Sequence, residues 1–502
     1  MQKKNDHYDI VIAGAGFAGS ITALALQKIG LKVCLLEKGK QPRFAIGESS
    51  TPVADMILRK LSSTYDLPWL YDFSRYGSWQ ESHSEIVCGI KRGFSFFKHL
   101  PHQKFATDEN HKNELLVAAS SSDVLSDTNW LRADIDAFLV EKVKESGIDY
   151  FDLTKIIEAK KNANWQFHLR RLNEQRIISS AFFIDATGSS YFAEKFLKTT
   201  SSSEDFLTDS FAIFSHFENV PHWKELLQNE GISTRDFPYD PDNSALHQIM
   251  DEGWMWMLRF NDERISIGFV LDEQNGLYNE LSTEQIWNDL LKKYPSIQDL
   301  LKEAKLHPQP GKTMRSQRLQ RKLKNAYGDG WAALPHTIGF VDPLFSSGIA
   351  HSLSGVEKLV DIIKDHWSDE DLLQKNLQEY ESKVFEELKL MDCLIGGCYK
   401  TMNNFQLFNA WSMLYFACTI AHEQRRLNNS DAGFFLNADD PNIAKMVYSS
   451  YEDLLKTISA PVKEEEIKNF TALIKERIEP FNSAGLLDPS ANNMYHHTVA
   501  VL

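Results

Sequence analysis

The chain has 502 residues, 43% hydrophobic and 25% charged, enough for two or three domains around a large core and far from a disordered composition. Its formal charge of −15 argues against nonspecific nucleic-acid binding, which needs a basic surface. The cysteines Cys34, Cys88, Cys393, Cys398 and Cys418 show no paired framework, Lys3 and Lys4 precede an apolar stretch that glycines interrupt, and no run has the length of a membrane span, so a cytoplasmic protein with buried thiols and without a secretory leader is expected.

From the N-terminus, Tyr8 to Ala13 is an apolar, β-branched run that meets Gly14, Gly16 and Gly19 and continues into the helix-forming SITALALQKIG. This reads as strand, tight turn and helix. Gly14 permits the turn, Gly16 lets a pyrophosphate approach the backbone and Gly19 lets the helix pack on the strand, so Gly14, Ala15, Gly16, Phe17, Ala18 and Gly19 form a phosphate cradle at a helix start. A second strand, LKVCLLE, ends in Glu37, followed by Lys38, at about the spacing of an acid that accepts hydrogen bonds from a ribose. A glycine-rich turn alone is a weak signal; two strands, a helix and a terminal acid in register point to a dinucleotide.

Residues 1 to about 65 therefore read as β-α-β plus a helix, and residues 85 to 100 as a strand pair around VCGIKRGFSFF. Residues 101 to 128, rich in His, Asn, Ser and Asp, read as a polar loop, either a cover for a site or a surface excursion. TNWLRADIDAFLVEKVKESG predicts an amphipathic helix starting near Thr128 or Asn129 and ending at Gly147. AFFIDATGSS, residues 181 to 190, fits a further strand of the nucleotide-binding sheet. Residues 210 to 275 alternate like an antiparallel sheet that covers a substrate, and from about residue 351 the chain is predominantly helical. The histidines are scattered apart from His496 and His497, with no HExxH and no GxSxG, so neither a metal nor a serine nucleophile is expected.

GAGFAG, PRFAIGESSTP at 42–52, CGIKRGFSFF at 88–97, GWMWM at 253–257 and GFVDPLFSSGI at 339–349 together resemble the flavin-dependent halogenases, and within them the members acting on free phenols. The resemblance covers most of the chain. It implies an α/β fold with a GxGxxG Rossmann-like FAD-binding domain of the aromatic-hydroxylase type, an interleaved antiparallel sheet layer and a helical C-terminal region. Its parts would be an FAD-binding and substrate-covering region over 1–365 (FAD-binding about 1–84, 129–205 and 312–365; sheet layer about 85–128 and 206–311) and a helical region over 366–502. It implies FAD, used reduced and supplied by a separate flavin reductase, a halide ion, a small aromatic substrate, and hypohalous acid made from reduced FAD, O2 and halide.

The same resemblance assigns roles. Gly47, Glu48, Ser49 and Ser50 would lie along the isoalloxazine ring, the rival reading being a helix cap ahead of Pro52. Arg43 and Arg132 would sit near the phosphate or ribityl chain, with a plain surface arginine as the alternative for Arg43. Asp342 would bond the ribityl region, Gly348 and Ile349 would face the flavin, and Ser347 and Gly348 the halide. Pro335 and His336 stand where many flavoproteins have Gly-Asp, which leaves the ribityl contacts open.

Lys91 would be the catalytic group, either as an ammonium donating a hydrogen bond to hypohalous acid or as an amine forming a haloamine; the sequence does not choose, and its apolar surroundings are unusual for a solvated lysine. Trp254 and Trp256 would share one face of a strand, obstructing the approach of substrate to flavin or simply packing a core; the family's WxWxIP reads here as WMWMLR, with Leu258 and Arg259 in place of isoleucine and proline. Phe345 stands where indole-halogenating members carry a glutamate, which favours an electron-rich phenol, since a phenol can lose its own proton. A helical stripe of Phe405, Phe408, Trp411, Tyr415 and Phe416 would wall the pocket or fill the core. The expected function is halogenation of a phenolic or resorcinol-like ring with chlorine or bromine. The alternatives are an FAD-dependent monooxygenase or dehydrogenase on the same scaffold, and an FAD- or carrier-binding partner without turnover.

Overall fold

Two sheets obeying different rules organise the chain, whose computed structural model describes residues 6–274, 276–428 and 433–496. The first is parallel at its centre, in the order Trp331–Ala333, Glu174–Asp185, Asp6–Ala13, Val33–Leu36, Asp149–Phe151. Ile10–Ala13, Val33–Leu36 and Phe182–Ile184 are continuous apolar runs because both faces are covered there; Ile10, Val11 and Ile12 are all fully buried. The AFFIDATGSS strand pairs in parallel with the first strand, Ile12 beside Ile184 and Ala13 beside Asp185. Helix Phe17–Lys28 packs between helices Arg132–Glu145 and Ser347–His366. Both glycine-turn ends of the central strands thus open on the same cleft.

The second sheet runs Lys305–Leu306, Ser210–Glu218, Ile265–Asp272, Gly253–Arg259, Ala245–Ile249, Gly93–Lys98, Glu114–Ala118, Met494–Tyr495, with Met314–Arg315 beside the second of these. Its central pairs are antiparallel except Ala245–Ile249 against Gly93–Lys98. Side chains alternate between faces: Trp254, Trp256 and Leu258 join the core shared with the nucleotide-binding sheet, while Met255 and Met257 join a second core with Phe97, Trp223 and Phe269. Helices Trp223–Asn229, Thr283–Lys293 and Pro295–Leu300 cover that second face, and Ser282 with Gln285 forms a capping box at the start of the middle one.

The structure corrects three local expectations. Glu114–Ala118, inside the stretch read as a loop, is a wholly buried strand between Gly93–Lys98 and the short Met494–Tyr495; five apolar-rich residues between polar flanks give too little periodicity to announce it. Cys88–Lys91 and Gly93–Lys98 are both strands, but they do not pair with each other; the first pairs with Asp127–Trp130 and the second joins the large sheet. Thr128–Trp130 consequently belongs to a ribbon rather than to the helix, which begins at Arg132 behind Leu131. The β-branched and aromatic residues suit that strand. The C-terminal helices Ser347–His366, Glu370–Thr401, Phe405–Asn428, Pro441–Thr457 and Glu464–Ile478 are as the pattern implies. All five cysteines are unpaired and buried, and no helix among the described residues is long and apolar enough to cross a membrane.

Candidate active site

The cleft begins at the glycine turn. Gly14 adopts φ +105°, and a Cβ there would lie 2.4 Å from the Ala186 carbonyl oxygen, so only glycine fits. Gly16 is the N-cap of helix Phe17–Lys28, which has no side-chain cap; its dipole is open to an anion. Glu37 is buried, accepting the Ala15 N–H at 3.0 Å and the Gly39 N–H at 2.7 Å, with Arg43 3.8 Å away; Lys38 is exposed. The Phe17 N–H is accepted by Asp136. Arg132 is forked on Asp136 at 2.9 and 3.1 Å, donates to the carbonyls of Ile46 and Gly47 at 3.0 and 3.2 Å, and covers the Phe17 ring. It therefore staples the Gly47–Ser50 segment to the glycine turn.

That segment is pinned on two sides: Glu48 to His216 at 2.8 Å, and Ser50 to Thr128 through both backbone and hydroxyl. Left over, buried and without a hydrogen-bond partner are Arg43 Nε and Ser49 Oγ. A glycine cradle bordered by unpaired polar atoms fits a dinucleotide such as FAD, whose phosphates and ring would satisfy them. The far side is the Pro335–Ser347 loop. His336 faces this cleft with its ring open, near enough that a Cβ on Gly188 would meet its Cδ2 at 3.0 Å. Asp342, in contrast, is turned into protein: it accepts from Tyr399 at 2.7 Å, Ser210 at 3.2 Å and the Leu344 N–H at 3.0 Å, and burial raises its carboxyl to about 7. Ser346, at φ +52°, starts helix Ser347–His366, and Ser347 and Gly348 are half-buried at its head while Ile349 is buried.

Lys91 ends the Cys88–Lys91 strand, directly opposite Asp127 in the ladder. It is 0% exposed. Its Nζ lies 4.0 Å from the Phe94 ring centre and 3.7 Å from Asp127 Oδ2, too far for a hydrogen bond, and neither of those polar atoms has a partner. Burial pushes the Lys91 pKa below the usual lysine value, opposed by Asp127 and Asp55. Burial in turn raises both Asp127 and Asp55. Beyond Lys91 stands an aromatic cluster: Phe94 meets Phe416 at 5.7 Å and Tyr415 at 6.4 Å, and Tyr415 lies flat on Phe345 at 4.0 Å with its hydroxyl on the Phe345 carbonyl. Phe405 stacks on Phe408, which meets Phe96. Trp411 turns the other way, to the Leu394 carbonyl and Tyr451.

Trp254 and Trp256 share the face toward this cluster, Trp254 beside His247 at 5.2 Å. Arg259 points elsewhere: it is held by Asp242 at 2.8 Å and by the carbonyls of Val220 and Pro221. The residue that replaces the family's proline is thus an anchor at the rim of the sheet. Asp55, Asp127, Tyr399 and His216 carried no signal in the sequence. Asp127 sat just ahead of an expected helix, and its partnership with Lys91 exists only through the ladder register.

A protein-family model described as tryptophan halogenase matches residues 104–428, and one described as FAD dependent oxidoreductase matches residues 9–166. The monodechloroaminopyrrolnitrin halogenase PrnC of Pseudomonas fluorescens is 24% identical over 501 residues, spanning 94% of this chain and 85% of that protein. The tetracycline 7-halogenase of Kitasatospora aureofaciens is 22% identical over 84% of this chain and 75% of its own length. The crystal structure of halogenase PltM superposes with a TM-score of 0.86 at 25% identity, covering 97% of this chain and 99% of that one; a second structure shows PltM in complex with phloroglucinol and FAD.

Proposed function

The chain belongs to the tryptophan halogenase family and is a flavin-dependent halogenase, an FAD-dependent enzyme, and from that premise we propose that it installs chlorine or bromine on an electron-rich phenolic or resorcinol-like ring. The observation that carries this reading is Lys91, fully buried, without a hydrogen-bond partner and set against Phe94 of the Phe94, Phe345, Tyr415 and Phe416 cluster. Phenylalanine at 345 leaves no carboxylate there to stabilise a cationic ring, and a phenol, which can lose its own proton, needs none. Phloroglucinol, bound by PltM, is a ring of this kind.

FAD, when bound and reduced, supplies the electrons with which O2 turns halide into hypohalous acid; a separate flavin reductase would supply it in that form. In this chain the Gly14–Gly19 turn would face its pyrophosphate, Glu37 a ribose, Arg43 a phosphate, and Ser49 the ring. Ser347, Gly348 and Ile349 would offer the N–H groups of a helix start to halide and ring. Lys91, kept cationic by Asp127, donates a hydrogen bond to the oxygen of hypohalous acid and polarises its bond to the halogen. A ring carbon forms the new bond to halogen as the oxygen–halogen bond breaks, and the ring proton ends in water. The closed rings of the cluster exclude bulk water, which confines the oxidant to the wall that Lys91 occupies.

The test is mass spectrometry of a panel of phenols and resorcinols incubated with the protein, FAD, a flavin reductase, NADH and bromide or chloride. A halogen isotope pattern formed by the wild type and reduced more than ~100-fold in Lys91→Ala is the expected result. Hydroxylated product without halogen would replace this reading with a monooxygenase.

A further inference from the structure

Three buried acidic or basic side chains come from neighbouring elements at the ribbon that carries Lys91. Lys91 comes from strand Cys88–Lys91, Asp127 from the facing strand, and Asp55 from the first turn of helix Pro52–Thr64. They are 0%, 2% and 3% exposed. Ser50 is bonded to Thr128 through backbone and hydroxyl, which sets the start of the Asp55 helix beside the Asp127 strand, while Asp127 Oδ2 faces Lys91 Nζ across 3.7 Å with neither atom otherwise bonded.

We propose that Asp127 is the positioning residue that keeps Lys91 charged and aimed, with Asp55 as a neutral acid donating its hydrogen bond to Asp127, so that the three form a buried, net-neutral relay behind the reacting lysine. This rests on the role given to Lys91 above. A lone ammonium in this enclosure would lose its proton, and one opposed carboxylate removes that penalty. Two ionised carboxylates side by side in this enclosure would repel each other, so one of the two acids holds a proton. Burial raises both acids, with Asp127 adding to the rise at Asp55 and Lys91 countering it at Asp127. Asp127 is the acid paired with the Lys91 ammonium at 3.7 Å, which favours its ionised form and leaves the proton to Asp55.

The gap has a use. At 3.7 Å Asp127 stabilises the ammonium electrostatically without consuming its N–H donors, which stay available to a guest oxygen. The other groups facing the relay are Arg59 and Arg75, which oppose the rise at Asp55, Glu423, which acts on Lys91 from helix Phe405–Asn428, and the His247 imidazole across the cluster, which burial holds far below its usual pKa. The aligned ladder register is what brings Asp127 opposite Lys91; a shift of one residue would turn it to the other face of the ribbon.

The experiment uses the full-length protein labelled with [13C]lysine. The Lys91 Cε signal is assigned by its loss in Lys91→Met and followed against pH in wild type, Asp127→Asn and Asp55→Asn, alongside halogenation rate against pH. In Asp127→Asn the Lys91 titration moves to lower pH by at least one unit, and product formation at neutral pH falls at least tenfold with partial recovery on acidification. Asp55→Asn keeps an N–H donor toward Asp127 and stays within about threefold of wild type, whereas Asp55→Leu behaves like Asp127→Asn. An unmoved Lys91 titration in Asp127→Asn, or an equal loss at every pH, overturns the proposal. Should Asp127→Asn fail to fold, the contrast between Asp55→Asn and Asp55→Leu decides, and equal behaviour of those two overturns it. A shifted titration in a protein that halogenates no phenol leaves the relay standing and removes the substrate reading instead.

Discussion

Lys91 and Lys98 lie one strand apart in the chain and both are buried, yet their surroundings differ in kind. Lys98, 2% exposed, meets Asp251 at 2.5 Å at the rim of the large sheet; burial lowers its pKa and Asp251 opposes that. Lys91 has no hydrogen-bond partner, a carboxylate just out of bonding reach, and an aromatic ring under its nitrogen. Burial alone therefore does not mark a reacting lysine. The mark is a charge that the fold stabilises and then leaves with its donors unused.

The largest expected effect breaks the comparison chemically. Lys91→Met should lower halogenated product by more than ~100-fold and should lower the melting temperature more at alkaline than at mildly acidic pH, because Asp127 is left buried without its opposed cation and must take up a proton. Lys98→Met should show the reverse, with product retained. Moving the strand without touching a charge comes next. A Cβ on Gly89 would lie 1.8 Å from the Arg259 carbonyl oxygen, so Gly89→Ala should cost ~1–3 kcal/mol in denaturant unfolding and displace Lys91 enough to lower product as well. Lys98→Met itself should lose only about 1 kcal/mol, since the Asp251 side chain is 38% exposed and water takes over much of its pairing.

The smallest effect sharpens the comparison with a third buried cation. His111 is held by Glu114 and Asp236 at 2.7 Å or less, and the Glu114 contact raises its pKa to about 9. A raised pKa means stability present in full below the ordinary imidazole value and lost as pH rises through about 9. Thermal melts across that range should decline in wild type and flatten in His111→Gln. No such alkaline decline in wild type would show that this imidazole is neutral.

The glycine turn, its two strands and the acid at Glu37 were legible because their geometry is local: each residue's job is set by neighbours a few positions away. Lys91 was legible as an oddity, a lysine among apolar residues, and Trp254 and Trp256 as a shared face from spacing alone. Asp342 was read toward the ribityl chain, whereas its carboxylate is taken up by Tyr399 and Ser210, partners from a helix and a strand that no local pattern places beside it. Arg259 read as a damaged motif and turns out to be an anchor on the loop at Val220 and Pro221.

Composition, local periodicity and glycine placement by themselves determined that this chain would build a dinucleotide cleft, an alternating sheet with two tryptophans on one face and a helical C-terminal region, since those features need only residues close in sequence. Tertiary structure alone decided that the strand carrying Lys91 would pair with Asp127–Trp130 rather than with its neighbour, that Asp55 would arrive from a helix to complete the relay, and that Tyr415 would lie on Phe345. The reason is physical. Strand register and helix docking are chosen by the summed burial of whole faces, and no single residue's identity carries that sum.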